Sequence, residues 1–370
     1  MDRTSDEEGD EMNVSICIVA YNEENYLPAL LEDVRTQTYP HEKIEVVLID
    51  SMSEDRTKQM MEKFRREESG HFLNIQVMDN PGRTQSCGWN EAMIHFQTGV
   101  MIRLDAHSHI PEDFVEKNVE NLMRGEKVSG GVRPALCEGD SKWQRTLLMA
   151  EESMFGSSVS SFRRKGERAY VKSFFHGAYR REVLERAGGF REDLGRTEDN
   201  EFHYRIRKMG DRLSMSPDII SYQYIRPDLK KMCAQKYGNG YWVGLTLGVC
   251  PKCLSLYHFV PWAFVWAILI TTLLCTLPPF RFWVRVLTAG MWGVYWLLAF
   301  CMSAVSIREA MKEEKESVSG FSALLPLLFF VLHISYGVGT WVGILKMPFW
   351  RKNHRECASV ERVKEQMRHE

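Results

Sequence analysis

Residues 100–110 read VMIRLDAHSHI, an apolar run that ends at Asp105, with His107 two positions further on. Such a run is typical of a strand that is buried on both faces of a parallel sheet. Ligands of these sheets bind beyond the carboxyl ends of the strands, so a carboxylate and an imidazole at this point indicate a ligand site. The stretch therefore predicts both the fold class and the place of the site.

Three further strands are predicted before this one, separated by helical patterns. The strands are VSICIVAY at 14–21, KIEVVLID at 43–50 and LNIQVMD at 73–79, and helices are expected at 25–36, at 55–68 and around 89–96. This alternation is the pattern of βαβ units. We therefore expect an α/β sandwich with a mostly parallel sheet, in which Asp50 and Asp105 lie at the same edge.

Bulk composition argues against nucleic acid as a partner. The chain has 370 residues, with 47 Lys and Arg against 49 Asp and Glu and a net charge of -2, so it lacks overall basic character. Residues 1–13 are acidic and polar and are expected to be disordered. No signal-peptide pattern precedes Val14, so we expect the N-terminal domain to remain in the cytoplasm.

Three long apolar stretches occupy the C-terminal part, at 259–277, 286–305 and 321–345. They are either buried core helices or membrane spans. Three in succession, each near the length of about 20 residues that a bilayer requires and rich in Trp at their ends, favour the membrane. We expect a multi-pass membrane region at 259–345, preceded by an interfacial amphipathic linker at 241–258 and followed by a basic tail at 346–370.

Charges beside these stretches disagree with three full crossings. The tail KMPFWRKNHRE, at 346–356, is basic, and so is the loop that carries Arg281 and Arg285. Basic residues favour the cytoplasmic side. Because the first stretch is short and contains Pro261, we expect it not to cross but to lie in the interface or to re-enter. The second and third stretches would then cross, with both termini in the cytoplasm.

Nine cysteines occur, mostly within apolar runs, and we expect them to be reduced. Cys250 and Cys253 have the spacing of a zinc or dithiol motif. Neither a second ligand pair nor a thioredoxin-like strand and helix accompanies them, so we expect no metal or redox site there.

Several segments, taken in order, resemble one family. They are VAYNEENYLPALLEDVRTQTYP, VVLIDSMSEDRT, GWNEAM, RLDAHSHIPEDFV, HGAYRREVLERAGGF, TEDNEFHYRIRKMG and QKYGNGYW. Together they resemble the family 2 glycosyltransferases of the GT-A fold, a three-layer sandwich that binds nucleotide-diphospho-sugars. SLYHFVP and HISYGVG extend the likeness to about residue 345 and are similar to the membrane-anchored ExoA-like subgroup of succinoglycan-type exopolysaccharide synthesis. The resemblance implies a GT-A domain at 14–240.

The resemblance implies that a nucleotide-sugar, expected to be a UDP-sugar, lies across the carboxyl edge of the sheet. Donor contacts are implied for Tyr21, Asn22, Glu23, Asp50, Arg83 and Asp105. From the residues alone, Asp50 either binds the base or caps the following helix, as Asp55 does. Its position at the strand end favours the ligand role.

A divalent cation is implied at Asp105 and His107. In the family, an Asp-x-Asp pair binds the cation that neutralises charge on the leaving diphosphate. Here His107 replaces the second Asp, and its imidazole suits Mn²⁺ somewhat better than Mg²⁺, so either ion is expected. The alternative is that His107 and His109 are solvated loop residues and that Asp105 caps a helix.

TEDNEFHYRIRKMG has the apolar spacing of a helix that starts at Glu198 and Asp199. The resemblance implies that Asp199 is the general base for the acceptor hydroxyl in an inverting displacement. The acceptor and sugar pocket is assigned to His176, Gly177, Ala178, Glu198 and Lys236, with 176–178 as a flexible turn and Glu198 chiefly structural. Alternatively, both carboxylates only complement the helix dipole.

Lys236 lies in QKYGNGYW, where processive synthases carry a Gln-x-x-Arg-Trp motif that is absent here. It either contacts a diphosphate or belongs, with Lys230 and Lys231, to a basic segment on anionic lipid.

The expected function is a metal-dependent, inverting glycosyltransferase that adds one sugar to a polyprenyl-diphosphate-linked acceptor in exopolysaccharide or glycan synthesis. Other enzymes of that synthesis are further candidate partners. Two alternatives stay open, a processive polysaccharide synthase and a catalytically silent membrane scaffold with the same fold. The presence of Asp50, Asp105 and Asp199 together argues against the scaffold.

Overall fold

The computed structural model describes residues 12–137, 141–156, 167–277, 281–313, 319–354 and 357–369. The tail that was predicted to be disordered, at 1–13, lies outside these residues except for its last two positions.

A large sheet forms the centre of the N-terminal part. Its strands are β1 (Val14–Ala20), β2 (Ile44–Asp50), β3 (Asn74–Asp79), β4 (Val100–Asp105), β6 (Val128–Val132), β8 (Ala169–Val171), β9 (Gly177–Arg180) and β10 (Leu213–Ile220). Their order is β3-β2-β1-β4-β9-β6-β10-β8. All neighbours are parallel except β9 with β4 and β6, and β8 with β10. The prediction of a mostly parallel sheet is confirmed.

A small second sheet and twelve α-helices complete the described chain. The small sheet has the order β5-β11-β7, with β5 at Ser108–His109, β7 at Ala135–Leu136 and β11 at Tyr222–Tyr224. The helices are α1 (Leu27–Arg35), α2 (Thr57–Glu68), α3 (Gln85–His95), α4 (Phe114–Met123), α5 (Lys142–Glu152), α6 (Arg181–Ala187), α7 (Glu198–Lys208), α8 (Leu229–Thr246), α9 (Val260–Leu274), α10 (Arg281–Glu313), α11 (Leu325–Asn353) and α12 (Ser359–His369).

The sheet separates two apolar cores, because successive side chains of a strand point to opposite faces. Ile16 and Ile18 of β1 pack with α1, α2 and α4 on one face. Cys17 and Val19 pack on the other face with α3, α6 and α7, and Val363 of α12 is buried in the same core. The arrangement is a three-layer sandwich, and a helix from the C-terminal tail belongs to one of its outer layers.

The strands of the N-terminal half end together. Ala20 of β1 pairs with Asp50, and Val19 pairs with Asp105. As predicted, Asp50 and Asp105 therefore lie at one edge of the sheet.

The prediction of a flexible turn at 176–178 is wrong, because Gly177 and Ala178 are the first two residues of β9. Gly177 pairs with Arg103. A Cβ at Gly177 would lie 2.2 Å from the Phe174 ring and 2.9 Å from the Ser129 carbonyl oxygen. The glycine allows the strand to approach its neighbours closely.

The predicted boundary between a catalytic domain ending at 240 and a linker at 241–258 is also wrong, because α8 runs through it without a break. The helix packs beside α11. A Cβ at Gly240 would lie 2.1 Å from the Tyr336 carbonyl oxygen, and one at Gly343 would lie 2.1 Å from the Tyr241 carbonyl oxygen. Gly240 and Gly244 on one helix, with Gly339 and Gly343 on the other, let the two backbones touch, as small residues four apart do in membrane helices.

Within the described residues, three helical segments have the length and composition to cross a membrane. They are Leu256–Leu274, Arg281–Lys312 and Gly320–Lys352. These apolar helices are consistent with anchoring to a membrane.

The glycine contacts predict a packing defect. Val at Gly244 would meet the backbone of α11, where a Cβ lies 2.6 Å from the Thr340 carbonyl oxygen. We expect Gly244→Val to cost about 1–3 kcal/mol of stability through overpacking. Melting of the purified protein in detergent measures this. Gly290→Val is the matched control, since a Cβ at Gly290 of α10 meets nothing within 4 Å. Equal melting temperatures for the two variants would contradict the close packing.

Candidate active site

The loops that follow β1 and β2 are joined to each other. Asn22 has a φ of +53°, which residues other than glycine seldom adopt. Its Oδ1 accepts from the Glu54 N–H at 2.8 Å, and its own N–H donates to Ser53 Oγ at 3.0 Å. The buried Asp50 carboxylate accepts from the Ser53 N–H at 3.2 Å. Asp50 therefore closes this turn, while the ring of Tyr21 remains 46% exposed beside it.

Asp105 is held from two sides at the end of β4. Its Oδ1 accepts from Gln85 Nε2 at 2.8 Å, and its Oδ2 lies 3.4 Å from His176 Nε2. Burial opposes ionisation of Asp105, but the contact with His176 and the charge of Arg103 hold the pKa of this carboxyl well below its usual range. Asp105 is consequently an anion that is already oriented.

His176 is buried, and its Nδ1 lies 2.9 Å from Ser221 Oγ. Burial lowers the pKa of His176 and so disfavours its charged form. The ring connects β9 with the Asp105 carboxylate. Ala178, the third residue of the predicted sugar pocket, is fully buried in the apolar core, so its side chain cannot contact a sugar.

Both nitrogens of the His107 ring have partners. Nδ1 lies 3.1 Å from Glu23 Oε1, and Gln223 Nε2 lies 2.7 Å from His107 Nε2. The ring therefore links the loop after β1 to β11. A cation at Nε2 would have to displace the Gln223 amide.

The metal-ligating side chains fit a cation that is shared with a bound substrate. In the described part of the chain, no three His, Cys, Asp or Glu side chains gather closely enough to hold an ion by themselves. Asp105 and His107 are of suitable chemistry, and Mg²⁺-type ions commonly take one or two protein ligands and complete their shell with substrate phosphates and water. The residues fit such a shared ion and do not form a closed metal site.

A buried ion pair lies beneath this edge. The Arg103 guanidinium donates to Asp199 Oδ1, and the Arg103 side chain is 1% exposed. Its charged end lies 4.9 Å from the centre of the Trp89 ring and 5.6 Å from that of Phe190. Because residues two apart on a strand share a face, Arg103 and Asp105 point to the same side of β4. The pair thus brings Asp199 to the side of the sheet that carries Asp105.

The helix predicted to start at Glu198 and Asp199 is confirmed as α7. Glu198 is buried, and its Oε2 has no hydrogen-bond partner. Burial and, secondly, the charge of Asp199 raise the pKa of Glu198 to about 8. At neutral pH Glu198 is mostly protonated beside an ion-paired Asp199, so the two adjacent carboxyls can take different chemical roles.

Lys236 and Arg83 are the two remaining residues of the predicted site. Lys236 of α8 is buried and pairs with Glu151 of α5 at 2.6 Å, so the hypothesis that it lies on lipid is wrong, although Lys230 and Lys231 are exposed. Arg83 is exposed on the loop before α3, with a φ of +57°.

Sequence reasoning missed four residues that orient the site. They are Gln85, Arg103, Ser221 and Gln223. Arg103 had a detectable signal, because an arginine inside a strand buried on both faces must find a charged partner. The two glutamines and the serine had none, since their partners are distant in sequence.

This architecture defines an α/β protein with a ligand site at the carboxyl ends of parallel strands. Residues 15–188 match the model of the family described as "Glycosyl transferase family 2". The segment from β1 to the end of α6 is thus similar to the family 2 glycosyltransferases, and the large sheet around it has the GT-A fold.

Three similar proteins extend the comparison. A glucuronosyltransferase of Methanococcus voltae, named for the substrate dolichyl N-acetyl-alpha-D-glucosaminyl phosphate, is 24% identical over 340 residues, 90% of this chain and 97% of its own. The succinoglycan biosynthesis protein ExoA of Rhizobium meliloti is 29% identical over 227 residues, 61% of this chain and 67% of its own. The structure of a Pyrobaculum calidifontis mannosyltransferase with GDP-Man and Mn²⁺ has a TM-score of 0.50 at 18% identity, over 93% of this chain and 87% of its own.

The ion pair of Arg103 and Asp199 predicts a large stability effect. Asp199→Ala would leave Arg103 buried without its partner, which costs about 3–5 kcal/mol. The control is Asp79→Ala, which breaks an exposed pair with Lys58 and should cost about 0–1 kcal/mol. Melting of both variants beside the wild type measures the difference. A fall in melting temperature for Asp199→Ala that is no larger than the fall for Asp79→Ala would contradict the buried ion pair.

Proposed function

We propose that the protein transfers one sugar, with inversion, from a nucleotide-sugar to a lipid-linked acceptor at the carboxyl edge of the large sheet. The observation that carries this proposal is the arrangement around β4. Asp105, at the strand end, and Asp199, held through Arg103, lie on the same side of the sheet. A transferase needs one group for the leaving diphosphate and another for the attacking hydroxyl.

The donor would lie across the loops after β1 and β2. The exposed Tyr21 ring offers a stacking surface for a base, and the turn closed by Asn22 and Asp50 gives that surface a fixed position. The mannosyltransferase with the same fold holds a nucleotide-sugar and Mn²⁺. A UDP-sugar remains our expectation for the present chain.

Asp105 and His107 would hold Mn²⁺ or Mg²⁺ together with the donor diphosphate. When bound, the ion supplies positive charge to the departing nucleotide. The protein orients Asp105 for this task through the hydrogen bond from Gln85, and the His176 ring lies 3.4 Å from the other carboxylate oxygen. The Glu23 contact at Nδ1 orients the His107 ring, and the ion would take the place of the Gln223 amide at Nε2.

Asp199 would accept the proton of the acceptor hydroxyl. Its ion pair with Arg103 fixes one carboxylate oxygen, so the other oxygen can face the acceptor. The protonated Glu198 beside it adds no second negative charge and can donate a hydrogen bond. General-base assistance of this kind contributes about 10² to 10⁴ in rate.

A lipid-linked acceptor fits two features of the chain. Its C-terminal helices are long and apolar. Its Methanococcus voltae relative, which this chain covers almost completely, is named for a dolichyl-linked sugar phosphate. An acceptor on a polyprenyl carrier would reach a site that is fixed at the membrane surface, and we place that site on the cytoplasmic face.

Two variants should lose activity in different ways. Asp199→Asn keeps a hydrogen-bond acceptor for Arg103 but cannot take a proton, so transfer should fall by about 10² to 10⁴ while donor binding is retained. Asp105→Asn should instead weaken donor binding in the presence of Mn²⁺. Calorimetry with the nucleotide-sugar and single-turnover transfer distinguish the two effects.

The matched control is Asp218→Asn, which changes an exposed carboxylate of β10 and should leave both measurements unaltered. If donor affinity collapses in Asp199→Asn while single-turnover transfer persists, Asp199 belongs to the donor site and the assignment of the base is wrong.

A further inference from the structure

Helix α8 lies along the catalytic domain and is attached to it at both ends. It begins four residues after β11, at the cap residue Asp228. At its other end, Thr246 Oγ1 lies 2.6 Å from Thr197 Oγ1, in the residue before α7. Eighteen residues of helix extend about 27 Å. The helix therefore crosses the surface of the domain and does not project away from it.

Helix α11 follows α8 in the same direction. Leu328 lies in one cluster with Met232, near the beginning of α8. Further along, Gly343 contacts the backbone of Tyr241, and Met347 lies against Gly248, just beyond the end of α8. Since α8 lies on the domain, α11 must run along the domain as well.

The catalytic domain also contacts α11 directly, in the first half of the helix and just beyond its end. His333 Nε2 donates to the Phe155 carbonyl oxygen at 2.5 Å, close to α5. Immediately after α11, the carbonyl oxygen of His354 accepts from Arg191 at 2.8 Å. A helix that crossed a bilayer away from the domain would have one end out of reach of it.

The tail then returns to the core of the domain. Ser359 Oγ donates to the Phe190 carbonyl oxygen at 2.8 Å, and the Gly189 N–H donates to the Val360 carbonyl oxygen at 3.0 Å. Val363 and Met367 are buried in the core beneath α3 and α6. The tail after α11 is thus on the side of the membrane where the catalytic domain lies.

Helices α9 and α10 behave differently, because α11 is contacted by the first half of α9 and by the middle of α10. Trp266 of α9 packs on Trp341 of α11 with ring centres 5.8 Å apart, and Tyr295 of α10 lies 3.1 Å from His333 Nδ1. Beyond these contacts both helices expose large apolar side chains, which are Leu269, Ile270, Leu273, Phe282, Trp283 and Leu287. The two helices project together from α11.

We propose that α9 and α10 form the membrane-crossing hairpin and that α11, although it is the most apolar segment, lies in the membrane interface beside α8 without crossing. In its most apolar window, 39% of the residues of α11 are buried, against 6% for the segment that contains α9. That segment, with 19 residues, extends about 28 Å and matches a hydrocarbon core of about 30 Å.

The partner of α11 is the boundary between headgroups and acyl chains. Leu324, just before the helix, and Leu327, Leu345 and Phe349 within it are exposed, as are Lys346, Arg351 and Lys352 near its end. Apolar residues with neighbouring cations are the pattern of a helix in the interface of an anionic membrane. As expected from the sequence, the chain then crosses the membrane twice and both termini lie in the cytoplasm. The crossing stretches, however, are the first and second, whereas the sequence predicted the second and third.

Charge near the hairpin agrees with this topology. Arg281 and Arg285 would lie on the far side, whereas Arg308 and Lys312 and the described basic residues of the tail, such as Lys346, Arg351 and Lys352, would lie on the catalytic side. More positive residues thus remain with the catalytic domain, as the positive-inside rule requires.

Cysteine labelling distinguishes the possible topologies. In a cysteine-free variant that retains transfer activity, single cysteines are introduced as Leu277→Cys, Ser319→Cys and Glu365→Cys. Lys63→Cys, on the exposed surface of α2, marks the catalytic side. A membrane-impermeant maleimide is applied to intact cells and, separately, to inverted vesicles.

We expect residue 277 alone to be labelled from the side opposite to residue 63. Labelling of residue 319 alone from that opposite side would mean that α10 and α11 cross. Opposite labelling of 277 and 365 together would mean that all three segments cross, and labelling of every site from one side would exclude a crossing hairpin. Each of the last three patterns overturns the proposal.

Discussion

The buried charge of Arg103 is the constraint on which the arrangement of the site depends. An arginine in the middle of a strand covered on both faces is unstable unless a carboxylate meets it. That carboxylate is Asp199, at the start of α7. The pair therefore fixes the register of α7 against β4, and the residues assigned to donor and acceptor chemistry depend on that register.

The same charge connects the site to the tail of the chain. The Arg103 guanidinium rests between the rings of Trp89 and Phe190. The backbone of Phe190 is bound by the side chain of Asn90, at 2.6 and 2.9 Å, and by Ser359 at the start of α12. A helix that follows the apolar region thus packs against the residues that surround Arg103. The C-terminal tail and the candidate site are therefore connected through Phe190.

Much of the sheet could be predicted from sequence because β1, β2 and β4 are buried on both faces and read as continuous apolar runs. The grouping of Asp50 and Asp105 followed from the rule that parallel strands end at one edge. The prediction of a turn at His176 is wrong because Gly177 packs closely against Phe174 within a strand. The extent of α8 was missed because its glycines, which allow contact with α11, resemble breaks in a helix. The roles of Gln85 and Gln223 depend on partners far away in sequence, which no local pattern reveals.

Transfer of label to lipid tests the central claim most directly. Membranes that contain the protein and polyprenyl-linked acceptors would be incubated with a panel of radiolabelled nucleotide-sugars and Mn²⁺, and the label would be followed into the organic extract. If the carboxyl edge binds a nucleotide-sugar and presents it to a lipid-linked acceptor, one donor should label the extractable lipid, with the opposite anomeric configuration in the product. Binding of a nucleotide-sugar without label in the lipid from any donor would contradict the account.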